Sequence, residues 1–205
     1  MLPSIAFLIA ALVLAVTPGP GIAYVVARTA AGGRAEGLAS CVGTGLGGLF
    51  HVCAAALGLS VLLAQSATAF TVVKYVGAAY LVYLGVRLLL VKAPVAVGAV
   101  VPGGARRALL EGVLVEALNV KTALFFLAFL PQFLVGGNAP VPQLLVMGTI
   151  CVLLNTLVDV GAVLGAARLL QAGHTARRRA RLLNKVSGVT LVGLGLYVAA
   201  ARRGT

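Results

Sequence analysis

Glu116, Asn119 and Lys121 fall within six consecutive positions of an otherwise apolar stretch, "EGVLVEALNVKTALFFLAFLPQF", Glu111 to Phe133. Asn155 and Asp159 interrupt a second apolar stretch and His51 a third. A carboxyl in such surroundings carries a proton or meets a substrate ammonium, because losing water makes the bare ionised form costly. Glu116 and Asn119, three apart, share a helix face, as do Asn155 and Asp159, four apart. Lys121 lies five residues past Glu116, about 140° round a regular helix. The two therefore do not pair within one helix: either Lys121 meets another segment, or the helix is distorted near Asn119. Asp159 has two readings, a proton carrier or ammonium contact on one hand and a fixed salt bridge, with Lys121 as partner, on the other. His51 is either a proton relay or a hydrogen-bonded packing residue.

A different kind of interruption comes earlier. Thr17, Pro18, Gly19, Pro20 and Gly21 sit inside "LVLAVTPGPGIAYVVA", Leu12 to Ala27. Each proline lacks an N–H and obstructs the helix on its N-terminal side, so carbonyls in the preceding turn lose their partners. In hydrocarbon such orphans persist only where protein, water or ligand satisfies them. Gly19 and Gly21 remove side chains and let another group come close. The segment is either a proline kink held by neighbours or an unwound binding segment.

These residues need a frame, and composition supplies it. Of 205 residues, 61% are hydrophobic and 10% charged, which places the chain in a bilayer. Stretches of roughly 20 apolar residues, the length that crosses hydrocarbon, predict about six spans. They lie near Pro3–Ala27, Leu38–Ala64, Thr68–Val91, Ala108–Leu130, Pro142–Leu170 and Asn184–Ala201. These runs are too long and too uniformly apolar for the alternating strands of a β-barrel, so the expected fold is an all-α transmembrane bundle.

The net charge of +12 lies between the spans rather than on a nucleic-acid face. Arg28 and Arg34 follow the first span, Arg87, Lys92, Arg106 and Arg107 the third, and Arg168 with Arg177–Arg181 and Lys185 the fifth, while Gln65–Thr68 and Pro131–Val141 carry no charge. Basic connections stay in the cytoplasm, which puts both termini outside; Arg202 and Arg203 fit this less well. The run Arg177–Arg181 reads as a topology signal touching anionic lipid, with no nucleic-acid partner. Cys41, Cys53 and Cys151 form no C-x-x-C, and no hydrolase or metal motif occurs, so neither an enzyme nor a cofactor or metal protein is expected. Gly43 and Gly47 make a G-x-x-x-G face for helix packing, within the bundle or in a homodimer.

"KYVGAAYLVYLG", Lys74 to Gly85, and "KVSGVTLVGLG", Lys185 to Gly195, match each other with one gap. Two halves of three spans each, an odd number, must cross in opposite senses, the inverted repeat of many secondary transporters. The single domain then divides into a first repeat of about 1–92, a cytoplasmic connection of about 93–107 and a second repeat of about 108–205. In this arrangement Thr17–Gly21 in span one has Glu116–Lys121 in span four as its counterpart, and the pair forms the expected binding site.

"TPGPGIAYVVA", Gly33-Arg34 with Gly37, "KYVGAAYLVYLG" and "LNVKTALFFLAFLPQF" together resemble the LysE/RhtB family of bacterial amino-acid exporters over nearly the whole chain. The resemblance implies an inner-membrane secondary transporter that exports amino acids or derivatives in exchange for protons. The family's S/T-P-G-P block falls on Thr17 to Pro20, and its N-P-K block on Asn119, Val120 and Lys121. Val120 stands where the family has proline, which weakens the expectation that span four is broken, and Glu116 replaces a frequent asparagine. The half-helix after Pro20 is expected to aim amides at a substrate carboxylate, with Glu116 or Asp159 meeting the ammonium and Asp159, Glu116 and His51 as proton-coupling candidates. The rival readings are a channel, an exporter of another small metabolite, and a membrane redox enzyme.

Overall fold

The computed structural model describes residues 4–59, 67–90, 101–134 and 140–169, and in the last segment 185, 188, 189, 191–193 and 195–200. The basic run Arg177–Arg181, residues 93–100 of the central connection, and Arg202-Arg203 lie outside these. All regular structure among the described residues is helical. Helix α1 covers Ile5–Val16, α2 Pro20–Ala54, α3 Ala67–Leu90, α4 Gly104–Ala117, α5 Val120–Leu124 and α6 Pro140–Leu169; α7 covers Leu191–Ala200. By length and composition Pro20–Gly58 and Pro140–Gly165 qualify as membrane spans, and Gly104–Ala117 with Val120–Phe133 qualifies as one span bent by 42°.

Ser4 opens α1, its hydroxyl accepting from the Phe7 amide at 3.2 Å. The helix ends at Val16 because Pro18 has no N–H to continue the ladder. Thr17 closes the end, its amide and hydroxyl both donating to the Val13 carbonyl at 3.0 and 2.6 Å. Gly19 is extended, and Pro20 starts α2 with its φ already set for a helix.

α2 is two helices joined at Gly33, which has φ 75° and ψ −171°, a conformation open to glycine and hardly to any other residue. The chain reverses there. A Cβ on Gly21 would lie 4.0 Å from the Thr44 methyl, whereas in a straight helix those residues are about 35 Å apart. Segments 20–32 and 34–54 are therefore antiparallel neighbours, with Val25 and Cys41 in one apolar cluster. The expected loop from Arg28 to Gly37 shrinks to one glycine, because Arg28 and Glu36 neutralise each other at 3.1 Å and the helices continue through both.

Lipid tails supply no hydrophobic drive between spans, so close approach of backbones has to hold the bundle together. Segment 34–54 runs parallel to α4, where a Cβ on Gly43 would meet the Leu109 carbonyl at 2.1 Å and one on Gly47 the Val113 carbonyl at 2.5 Å. It runs antiparallel to α6, with Gly45 against Thr156 and Gly48 against Val152. The two segments that match in sequence lie side by side in opposite directions, with Gly85 against the Gly188 carbonyl and Gly195 against that of Ala78. A separate apolar core joins Phe7, Leu14, Phe125, Phe126, Phe129 and Leu144.

Gly43→Ala must push α4 away and is expected to cost about 1–3 kcal/mol, read as a lower unfolding temperature in detergent. Gly161→Ala, where a Cβ meets nothing within 4 Å, is the matched control and leaves that temperature unchanged.

Candidate functional site

The break in the first span leaves specific atoms unpaired, and Lys121 reaches them. The Leu14 carbonyl would ordinarily bond the amide of residue 18, which is proline. Lys121 Nζ donates to it at 3.2 Å and to the Thr17 carbonyl at 2.9 Å. The ammonium thus sits at the C-terminal, negative end of α1. Gly19 makes room for it, since a Cβ there would lie 3.0 Å from Nζ. Of the two sequence readings for Lys121, contact with another segment and distortion at Asn119, both hold. No ion pair joins Lys121 to Asp159 or Glu116 among the described residues.

The second span of the pair is also interrupted. α4 ends at Ala117 and α5 begins at Val120, so the break forms without the proline. Asn119 produces it, leaving the helix at φ −75°, ψ 99° and accepting from the Lys121 amide through Oδ1 at 3.1 Å. A capping side chain thereby does for the helix start what a proline ring does by shape. Downstream the chain follows π geometry over Phe125–Phe129 and then 3-10 geometry over Leu130–Phe133, local adjustments common around functional breaks.

Glu116 lies between the two breaks. Its Oε2 accepts from Asn119 Nδ2 at 2.9 Å and its Oε1 from the Thr122 hydroxyl at 2.7 Å, so both oxygens are engaged. A Cβ on Gly21 would be 2.7 Å from Oε2. The protein's own carboxylate thus rests beside the first turn of the half-helix after Pro20. His51 sits behind, its Nε2 2.8 Å from the Glu116 main-chain carbonyl and its ring beside Phe126.

Asp159 faces the same space from α6. Thr44 Oγ1 is 2.9 Å from Asp159 Oδ2 and 3.0 Å from the Cys41 carbonyl. A hydroxyl has one proton, so the two contacts define a switch. When Asp159 is ionised, Thr44 donates to it; when Asp159 carries a proton, Asp159 donates to Thr44 and Thr44 donates to Cys41. In either protonation state Asp159 Oδ2 and the Thr44 hydroxyl remain hydrogen-bonded to each other. Oδ1 takes no hydrogen bond among the described residues, yet no buried side-chain oxygen is unsatisfied; it opens instead onto a cavity. That cavity, about 20 Å3, is lined by Glu116, Lys121, Asp159, Asn155, Thr44 and Gly21 among others. It has room for about one water molecule.

Two clusters flank the helix breaks. On one side Arg28, almost fully buried, bonds the Tyr24 hydroxyl, Glu36, Glu111 and the Val101 carbonyl. Glu36 also accepts from the amides of Gly103 and Gly104 at 3.1 and 2.8 Å, and Arg107 donates to Glu111 at 2.7 Å. On the other side Phe7, Phe125, Phe129 and Phe133 stack with ring centroids 4.8–5.6 Å apart. Along span one the order is Phe7, break, Arg28; along span four it is Glu111, break, Phe125. Each interrupted segment thus contributes to both clusters.

Sequence reasoning treated Arg28 as a loop charge and passed over Glu36, Glu111 and Tyr24. A usable signal existed: the chain has four acidic residues, and an acid at such scarcity is seldom idle. Arg28→Met would leave buried Glu36 without its counter-charge and is expected to destabilise the protein by about 3–5 kcal/mol, seen as a drop in unfolding temperature. Arg28→Lys, lacking the fork that serves several acceptors at once, is expected to restore little of it.

Over residues 12–202 the chain matches the LysE type translocator family. It is similar to an uncharacterized membrane protein of Vibrio cholerae, 32% identical over 199 residues that make up 97% of both chains. It is also similar to a homoserine/homoserine lactone efflux protein of Salmonella typhimurium, 28% identical over 96% of both chains. A leucine efflux protein of Salmonella choleraesuis is 26% identical over 94% of this chain and 92% of its own. No solved structure matches.

Proposed function

Since the chain belongs to the LysE type translocator family, we propose that it is a secondary exporter of amino acids or close derivatives in the bacterial inner membrane, exchanging them for protons. The observation that carries this reading is the small polar cavity beside two helix breaks, with Asp159 presenting one unbonded oxygen into it and holding a protonation switch with Thr44. Relatives named for the efflux of leucine and of homoserine or its lactone point to a substrate that bears an amino group.

The proposed cycle follows from charge. An ionised Asp159 binds the substrate ammonium from the cytoplasmic side, and a proton arriving from outside neutralises it and releases the substrate. Opening the ionic layer around Arg28 gives access from one side, and parting the phenylalanines gives access from the other. Basic connections place the Arg28 layer toward the cytoplasm and the aromatic layer, with both termini, outside. The parallel and antiparallel helix neighbours suit six spans in two inverted halves, 1–92 and 108–205. Thr17 to Gly21, Glu116, Asn119 and Lys121 frame the substrate; Glu116 and His51 adjoin the proton path. The small-residue face of Gly43 and Gly47 serves the monomer's own packing, which leaves a homodimer to another surface.

Substrate and proton compete for Asp159, so apparent affinity falls as pH falls, by up to about tenfold per pH unit once the carboxyl takes its proton. In proteoliposomes a proton gradient is expected to drive substrate against its own gradient. Asp159→Asn, held permanently neutral, is expected to lose binding and transport, and Asp159→Glu to keep both in part. Wild-type accumulation and pH dependence in a correctly folded Asp159→Asn protein would rule the mechanism out.

A further inference from the structure

Resting on the exporter reading, the charge inventory of the cavity narrows the substrate. Three ionisable side chains line it: Glu116, Lys121 and Asp159. Glu116 accepts two hydrogen bonds, from Asn119 and Thr122. Lys121 Nζ donates to two main-chain carbonyls at the negative end of α1. With all three side chains in their ordinary ionised forms, the cavity carries one net negative charge. An occupant that replaces a proton on Asp159 and leaves this desolvated space neutral has a charge of +1.

A free amino acid does not meet that requirement. Its ammonium suits Asp159 Oδ1, but its carboxylate enters a space that already contains two others. Glu116 Oε2 already lies beside the first turn of α2, where a Cβ on Gly21 would be 2.7 Å from it. The cation of the lining has at most one proton left to offer. We infer that Glu116 stands in for the substrate carboxylate, so that this protein selects monocations whose carboxyl group is masked or missing: amino-acid amides, esters and lactones, and simple amines. Exchange of such a cation for a proton moves no net charge, and the cavity alternates between two occupants of equal charge.

Paired ligands that differ only at the carboxyl group test this: leucine against leucinamide, and homoserine against its lactone, titrated into the purified wild-type chain in detergent at a pH where the amines are protonated. The cationic member is expected to bind more tightly, on the order of tenfold to a hundredfold, and to release about one proton into a weakly buffered solution as it displaces the proton from Asp159. In Glu116→Gln that ratio is expected to shrink to near parity or reverse, chiefly through tighter binding of the zwitterion. Equal or tighter binding of leucine to the wild type overturns the inference; if a proton gradient still drives leucine out of proteoliposomes, the exporter reading survives it. A cation preference that Glu116→Gln leaves unmoved overturns the role given to Glu116. Absence of both binding and gradient-driven transport across amino acids and their derivatives overturns inference and exporter reading together. The wild-type comparison decides the substrate class even where the variant does not fold.

Discussion

Main-chain carbonyls stripped of their amides cannot be left bare in hydrocarbon, and the pairing of the two interrupted spans follows from that constraint. Pro18 removes the partner of the Leu14 carbonyl, and Lys121, which comes from the other interrupted span, restores one. To do so it must leave its own helix at the right place and pass a residue without a side chain. Asn119 arranges the first by capping α5, and Gly19 allows the second. A charge that would be prohibitive alone in the membrane becomes the group that makes the opposite break tolerable.

The same economy governs the acids. All four sit in one of two clusters: Glu36 and Glu111 around Arg28, Glu116 and Asp159 around the cavity. The first cluster is fully paired and acts as a latch between segment 20–32, segment 34–54 and the start of α4. In the second, Asp159 keeps one oxygen unpaired, and its Thr44 partner can reverse the direction of a hydrogen bond. A saturated network on one side and an unsaturated one at the centre is what separates a closure from a binding site.

Neighbouring helices are held by contacts that tolerate almost no added atom: Gly43 and Gly47 on α4, Gly85 on the Gly188 carbonyl. Such contacts slide or part as units instead of deforming, since backbone against backbone has little slack. A bundle built this way can shift between discrete arrangements, with the ionic layer and the aromatic layer exchanging roles as the closed side.

Much of this was legible in the chain. Apolar runs of the right length announce a helical membrane protein, since nothing else buries so little charge in so many residues. Two prolines within Thr17–Gly21 announce the first break, since a missing N–H is a property of the residue itself. The second break was legible only as one alternative for Lys121, because Val120 carries no such defect and Asn119 breaks a helix only if its side chain turns to cap the next one. Nor could the sequence place Arg28 in a buried latch: its charge reads as a loop until Gly33 folds the chain back and brings Glu36 beside it. The sequence alone thus determined which groups cannot stand unpaired in a membrane, because that depends on residue type. Only the tertiary structure decided which groups answer them, Lys121 for Leu14 and Thr17 and Thr44 for Asp159, because those partners are far apart in the chain and meet only when the helices pack.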